Sequence, residues 1–204
     1  MKIDKRCMFF MLIFTILLSS CVTLMPDISR IQEQSRLMQQ LGTSPDLPTW
    51  QNNRESVVQS LGDRVIDQPF DRVFNSIVTA LGSLELSVQN MERVSMYIVA
   101  TGIPIPTGEK MELQKKELVE YCRFYGYDPR IVEIQKGDYI NPAMGSTMTN
   151  SKPTLTFSLV KQKENRTKVK IRASNIYYPP TLEEIYKVVW KEIDKQIFMD
   201  KSLD

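Results

Sequence analysis

Residues that commonly carry out chemistry are scarce in this chain, which has 204 residues and no histidine. The absence of histidine excludes His-dependent catalytic triads, imidazole proton relays and almost every transition-metal site. The glycine-rich signatures of nucleotide-binding loops and the Ser-centred signature of α/β-hydrolases are also missing. The adjacent carboxylates Glu183 and Glu184 are interpreted as part of a helix cap. The sequence therefore predicts no catalytic residue, no metal site and no cofactor.

Residues 1–20 have the organisation of an export signal. Lys2, Lys5 and Arg6 precede Met8–Leu18, an unbroken run of eleven residues that are all apolar except for one Thr. Crossing a bilayer takes about 20 apolar residues, so this run is too short for an ordinary transmembrane helix. Its length is instead typical of the apolar region of a signal peptide.

The tetrapeptide Leu18-Ser19-Ser20-Cys21 follows at once, with one aliphatic residue, two small residues and then cysteine. It resembles the lipobox of bacterial lipoproteins. The resemblance implies cleavage between Ser20 and Cys21, acylation of Cys21, and anchoring to a lipid bilayer, where each buried CH₂ contributes about 0.8 kcal/mol. Because Val22 is not the Asp that favours inner-membrane retention, it also implies the periplasmic face of the outer membrane. A conventional secretory signal, an uncleaved anchor and a buried core helix remain open.

The charge of the rest of the chain is balanced. The formal net charge is +2, and Lys2, Lys5 and Arg6 against Asp4 account for all of that excess. A balanced chain has no electrostatic footprint for nucleic acid and no general attraction to anionic lipid. We therefore predict no nucleic-acid partner.

A composition change near residue 54 divides the remaining chain. Residues 21–53 contain Pro26, Pro45, Pro48 and many glutamines, which is typical of a solvated, partly helical tether. A short helix or strand that docks on a partner is the alternative interpretation of this segment. Residues 54–204 have the texture of a single α+β domain, with an insertion at 103–153.

The domain shows one strong helical pattern and several strand patterns. Apolar residues from Phe70 to Leu81 recur at helical spacing. Val57-Val58 and Val65-Ile66 suggest strands. Two stretches suggest hairpins, Leu86–Ala100 with its turn at Gln89–Arg93, and Leu155–Ala173 with charged and turn residues at Lys161–Lys168.

A basic ladder and a last helix complete the domain. Outward positions of the second hairpin hold basic residues, which suggest either an anionic-surface patch or a solvated sheet face: Lys161, Lys163, Lys168, Lys170 and Arg172. Thr181-Leu182-Glu183-Glu184 predicts a capping box, with Pro179-Pro180 outside the helix. Leu182, Ile185, Tyr186, Val189, Ile193 and Ile197 form its apolar face, with Trp190 expected at the margin and half exposed.

The insertion is predicted to contain a helix and a loop. Glu109–Tyr125 can be helical, with Gly126 as its C-terminal cap, Arg130–Ile134 suggests a short strand, and Gly137–Lys152 has loop composition. Cys122 is interpreted as a small buried residue. Five aromatic residues form a candidate interface, with core filling as the alternative: Tyr121, Phe124, Tyr125, Tyr127 and Tyr139.

The order of elements predicts an antiparallel sheet packed against two amphipathic helices, a two-layer α+β architecture. The stretch Pro69–Leu81 and the strand pair ending Tyr97-Ile98-Val99-Ala100 resemble the helix-grip domains of bacterial lipoproteins, those of the BamC (NlpB) family of outer-membrane barrel assembly among them. The resemblance covers residues 55–101 and 154–198, and the insertion at 103–153 departs from it.

Three function classes follow. The first is a non-catalytic lipoprotein that scaffolds or modulates an envelope protein complex, with an envelope protein as its partner. The second is a binder of a lipid or other hydrophobic ligand in a groove between helix and sheet. The third is an enzyme that uses only carboxylates, Lys, Ser or Tyr.

Overall fold

A computed structural model describes residues 47–130 and 152–201, together with Ser29 and Gln32. The chain divides into two compact units, residues 1–39 and residues 40–204. In the first unit the two described residues are helical. The elements of the second unit are, in chain order, α1 (Pro48–Leu61), β1 (Asp63–Ile66), α2 (Phe70–Ser83), β2 (Ser87–Glu92), β3 (Tyr97–Thr101), α3 (Thr107–Phe124), β4 (Thr154–Lys163), β5 (Arg166–Ser174) and α4 (Pro179–Lys201).

The five strands form one antiparallel sheet in the order β1-β5-β4-β3-β2. Helices α2 and α4 pack side by side against one face of this sheet. The predicted two-layer α+β architecture is therefore confirmed. None of the helices in the described part of the chain combines the length and apolarity that crossing a membrane requires.

The main core lies between the two layers. It consists of buried side chains from the inner face of β3, β4 and β5 and from the facing sides of α2 and α4. Alternation along the strands places Ile98, Phe157 and Ile171 in one registered row. Each such fully buried side chain contributes about 1.5–3 kcal/mol. This burial holds the sheet and the two helices together.

Helix α2 follows the predicted stripe closely. It begins at Phe70 after Pro69, whose missing N–H costs nothing at a helix start, and it ends at Ser83. The stripe residues on its inner side are buried: Val73, Phe74, Ile77, Ala80 and Leu81. Glu85 has a positive φ of 55° just after the helix, which lets the chain reverse into β2.

Helix α4 buries the predicted apolar face, but its start and one margin differ from expectation. Pro179 and Pro180 belong to the first turn, so Thr181 lies inside the helix and its buried Oγ1 has no hydrogen-bond partner. The predicted capping box is therefore wrong. Trp190 is 1% exposed rather than half exposed, because its Nε1 donates to the carbonyl of Leu61, 2.6 Å away, and the Arg64 guanidinium covers its ring.

Helix α1 corrects two expectations about the start of the domain. Val57 and Val58, predicted as a strand, are helical and pack on the main core. The boundary expected between residues 53 and 54 lies within α1. Leu47 and Trp50 are buried, so the folded unit begins before that boundary.

Both predicted hairpins are present, with different turns. In the first, β2 continues to Glu92, and the turn lies at residues 93–96, where Met96 has a φ of 56°. In the second, strand pairing extends to Lys163 and Arg166, which leaves only a two-residue turn. The predicted turns were too early or too wide because polar residues extend well into both strands.

Helix α3 confirms the predicted helix of the insertion. It ends in a Schellman motif, in which the N–H of Tyr127 donates to the carbonyl of Cys122 and the N–H of Gly126 to that of Arg123. Gly126 has a φ of 75°, as such a cap requires. Arg130 is helical, and the rest of the predicted strand to Ile134 lies outside the described residues.

Candidate functional site

The aromatic residues of the candidate interface occupy different environments. Tyr121 is fully buried, whereas Phe124 is 51% and Tyr125 40% exposed, and Tyr127 is partly buried. Tyr139 lies outside the described residues. The rings of Tyr121 and Tyr125 lie 4.5 Å apart between centroids, and those of Phe124 and Tyr125 lie 5.0 Å apart at an edge-on angle. Tyr121 thus anchors an aromatic group of which two members reach the surface at the end of α3.

A second buried cluster, separate from the main core, connects α3 to α1 and to the start of α4. We call it the joint cluster, and it comprises the buried Leu47, Trp50, Tyr121, Cys122 and Tyr178 together with Glu120, which is exposed at its edge. The carboxylate of Glu120 accepts a hydrogen bond from Trp50 Nε1 at 3.1 Å and another from the Tyr178 hydroxyl at 3.3 Å. The rings of Trp50 and Tyr178 meet edge-on at 5.4 Å. The carboxylate of Glu120 on α3 is therefore bonded both to α1 and to the residue that precedes α4.

Glu117 lies one turn before Glu120 on α3 and is partly buried. Burial, and then the negative charge of Glu120, raise the pKa of Glu117 to about 7. Two carboxyl groups at this spacing share one side of a helix, and like charges there repel. Burial and the neighbouring charge thus bring the pKa of this carboxyl group close to neutrality.

The thiol of Cys122 and the hydroxyl of Tyr178 in the joint cluster stay protonated at neutral pH. Burial raises the pKa of the Cys122 thiol, and the charge of Asp128 raises it further. Burial also raises the pKa of Tyr178 to about 12, with the charge of Glu120 as the next cause. A thiol in this state is a poor nucleophile. The predicted assignment of Cys122 as a buried residue is confirmed.

The joint cluster was missed by sequence reasoning, although some of its members were singled out. Trp50 was assigned to the tether, and Glu117 and Glu120 were given no role. The spacing of the two carboxylates was visible, but their partners are not local. Trp50 lies 70 residues from Glu120, and Tyr178 lies 58 residues from it.

An open groove lies at the rim of the domain, between α2 and β2. It has a volume of about 400 Å³ and is lined by Phe74, Asn75, Val78, Thr79, Met91 and Arg93. The Arg93 guanidinium donates to Asp71 Oδ1 at 2.7 Å and also to Asn75 Oδ1, and it lies 4.9 Å from the centre of the Phe74 ring. The groove thus combines an apolar floor with one fixed positive charge.

The basic ladder on the second hairpin is less uniform than predicted. Lys161 pairs in register with the buried Thr167, in the same alternation as Leu159, so it does not share the outer face with Lys168 and Lys170. Asp63 accepts from Arg172 at 2.7 Å and from Lys168 at 3.1 Å. Burial raises the pKa of Asp63, but these hydrogen bonds outweigh it, and the pKa lies below its ordinary value.

Asp63 therefore compensates two of the ladder's positive charges, which favours the interpretation as a solvated sheet face over an anionic-surface patch.

The predicted lipidation and cleavage residues, Ser20 and Cys21, lie outside the described residues. Across residues 47–130 and 152–201, no three His, Cys, Asp or Glu side chains are grouped so as to hold a metal ion. Comparison with known proteins gives no relative, since no family model, no curated protein and no solved structure matches this chain.

Proposed function

We propose that this protein is a membrane-anchored, non-catalytic lipoprotein that scaffolds or modulates a protein complex of the bacterial envelope. The observation that carries the proposal is Leu18-Ser19-Ser20-Cys21 directly after an apolar run too short to span a bilayer. Acylated Cys21 holds the chain on the bilayer. Val22 favours the periplasmic face of the outer membrane, as an expectation taken from the lipobox resemblance.

Support for a scaffolding role comes from the surface of the domain. Phe124 and Tyr125 present aromatic rings at the end of α3, held by the buried ring of Tyr121. Aromatic residues on a rigid support are enriched at the centres of protein interfaces. The alternative, a hydrophobic ligand between helix and sheet, has less support because side chains from both layers fill that space.

The test is replacement of the cysteine that would carry the lipid. Cells producing the wild-type chain, Cys21→Ser or Cys7→Ser are labelled with a palmitate analogue and separated into membrane and soluble fractions. Wild type and Cys7→Ser should be labelled and found in the outer-membrane fraction. Cys21→Ser should lose the label, because it lacks the thiol to which the lipid is attached. Labelling of Cys21→Ser at the wild-type level would contradict the proposal.

A further inference from the structure

The two edge strands of the sheet differ in length and in their charged side chains. Edge strand β1 has four residues, and its two charged members form ion pairs: Asp63 with Arg172, and Arg64 with Asp194 at 3.1 Å. Short edges with charged side chains resist pairing with another strand. Edge strand β2 has six residues, all exposed, and contains no Lys, Arg or Pro. Edge strand β2 is thus longer than β1, and its protecting features are a bulge and the charged Glu92 at its end.

The outer edge of β2 has no neighbouring strand among residues 47–130 and 152–201. Within the described residues, β2 pairs with β3 on one side and has no strand on the other. Alternate N–H and C=O groups of an edge strand point away from the sheet, where they can pair with one more strand. This is the geometry by which many domains bind an extended peptide.

A bulge limits which part of β2 is straight. The register shifts between Val88 and Asn90, and the side chain of Gln89 is held by Ser87 Oγ at 2.8 Å and Thr101 Oγ1 at 3.1 Å. A bulge bends and twists its strand locally. The straight section is therefore Asn90–Glu92. A section this short can pair with a short peptide, whereas a symmetric dimer would need to pair β2 over its whole length with β2 of a second copy.

The α2–β2 groove lies beside this straight section. Met91, which is 55% exposed, forms one wall, and Phe74 and Val78 supply the rest of the apolar surface. Arg93 is the one lining residue with an ionised side chain. Its partner Asp71 is largely exposed, so that ion pair is weak and leaves the guanidinium accessible to a second carboxylate.

We propose that β2 binds an extended segment of a partner protein as a sixth strand, with an apolar side chain of that segment in the α2–β2 groove and a carboxylate beside Arg93. Main-chain hydrogen bonds supply affinity, and the groove supplies selectivity. The inference deepens the proposed function, because it gives the chemistry of one partner. Its test uses purified protein without acylation, so its failure is distinguishable from failure of the lipoprotein proposal.

The probe is a library of random 12-residue peptides displayed on phage, selected on the chain from residue 22 onward, which retains every described residue. Selection should enrich peptides with β-branched residues, one larger apolar residue and an Asp or Glu. An enriched peptide is then synthesised in normal form and with alternate backbone amides N-methylated. Because N-methylation removes main-chain donors and keeps the side chains, we expect it to lower affinity at least tenfold.

Two variants at the groove and one at the opposite edge localise the binding. Met91→Lys and Thr79→Lys place a charge on either wall of the groove and should each lower peptide affinity about tenfold or more. Val65, on β1, is 43% exposed. Val65→Lys makes the same kind of change at this opposite edge and should leave the peptide affinity within about twofold of wild type. Thermal unfolding of each variant checks that it is folded. If Met91→Lys is unfolded, the peptide affinity of Thr79→Lys tests the proposal in its place.

Four results would overturn the proposal. They are a selection that yields no specific peptide, equal binding by the N-methylated peptide, equal loss in Val65→Lys, and wild-type affinity in both groove variants. Sedimentation of the peptide-free chain supplies a further check. A dimer that Met91→Lys dissociates would assign the edge to a second copy instead.

Discussion

In the main core, aliphatic and aromatic side chains of three strands and two helices exclude water. The joint cluster instead borders a solvent-exposed carboxylate, that of Glu120. Phe157 and Ile171 are fully buried in the main core and pair in register. In the joint cluster, Trp50 and Tyr178 both donate to Glu120. Burial of apolar area is insensitive to pH, but the partly buried carboxyl group of Glu117 beside Glu120 is not. The two regions should therefore respond to different perturbations.

The largest expected effect is in the main core. Phe157→Ala removes a fully buried ring from the central strand β4 and should lower the free energy of unfolding by about 3–5 kcal/mol. Val160→Ala, on the outer face of the same strand, should cost less than about 1 kcal/mol. Urea denaturation followed by circular dichroism measures both. Similar losses in the two variants would mean that the faces of β4 are misassigned.

A smaller effect, dependent on pH, is expected at Glu117, which lies one turn before Glu120 of the joint cluster. Glu117 has an ordinary pKa of 4.5, as in the unfolded chain, and a pKa of about 7 when folded. The folded chain binds this proton more tightly, so the contribution of Glu117 to stability is fully present below pH 4.5 and is lost as the pH rises through 7. We expect a loss of about 2 kcal/mol, less than the full shift would give because the residue is partly exposed.

Glu117→Gln should abolish that loss, because an amide stays neutral at every pH tested. Urea midpoints at pH 5 and pH 8 are compared for wild type, Glu117→Gln and Glu112→Gln, whose side chain is exposed on the same helix. Glu117→Gln should show the smallest difference in urea midpoint between pH 5 and pH 8, and Glu112→Gln should behave like wild type. A wild-type chain that is as stable at pH 8 as at pH 5 would contradict the assignment.

The smallest expected effect tests a single hydrogen bond of the joint cluster. Tyr178→Phe keeps the ring that contacts Trp50 and removes the hydroxyl that donates to Glu120, so it should cost about 1 kcal/mol. Tyr177→Phe is the matched control, because it keeps the neighbouring ring beside Arg54. Chemical denaturation at pH 7 compares them, and an equal cost would remove the special role given to Glu120.

The contrast between the main core and the joint cluster explains which parts of the fold could be predicted from the sequence. The stripes of α2 and α4 and the alternation of β4 and β5 are periodic, and periodicity identified their buried faces correctly. Val57-Val58 was misassigned because a short apolar run fits a strand and a helix equally well. Thr181 resembled a cap, but the two prolines before it had already begun the helix.

The joint cluster could not be predicted for a different reason. Its contacts join residues that are 58 and 70 positions apart, and they depend on one polar side chain rather than on a repeated pattern. The α2–β2 groove is equally hidden, because Phe74 and Arg93 come together only after the chain reverses at Glu85. Sequence patterns identify layers, whereas single polar contacts between distant elements follow from the packing of those layers.

The placement of the two tryptophans has a spectroscopic consequence. The chain has only Trp50 and Trp190, and the fold places one indole in the joint cluster and the other against the main core. Trp50 donates to a carboxylate, while Trp190 donates to a main-chain carbonyl and lies beneath a guanidinium 4.6 Å from its ring. Intrinsic fluorescence therefore contains two separable signals, and a single-tryptophan variant reports on one region at a time.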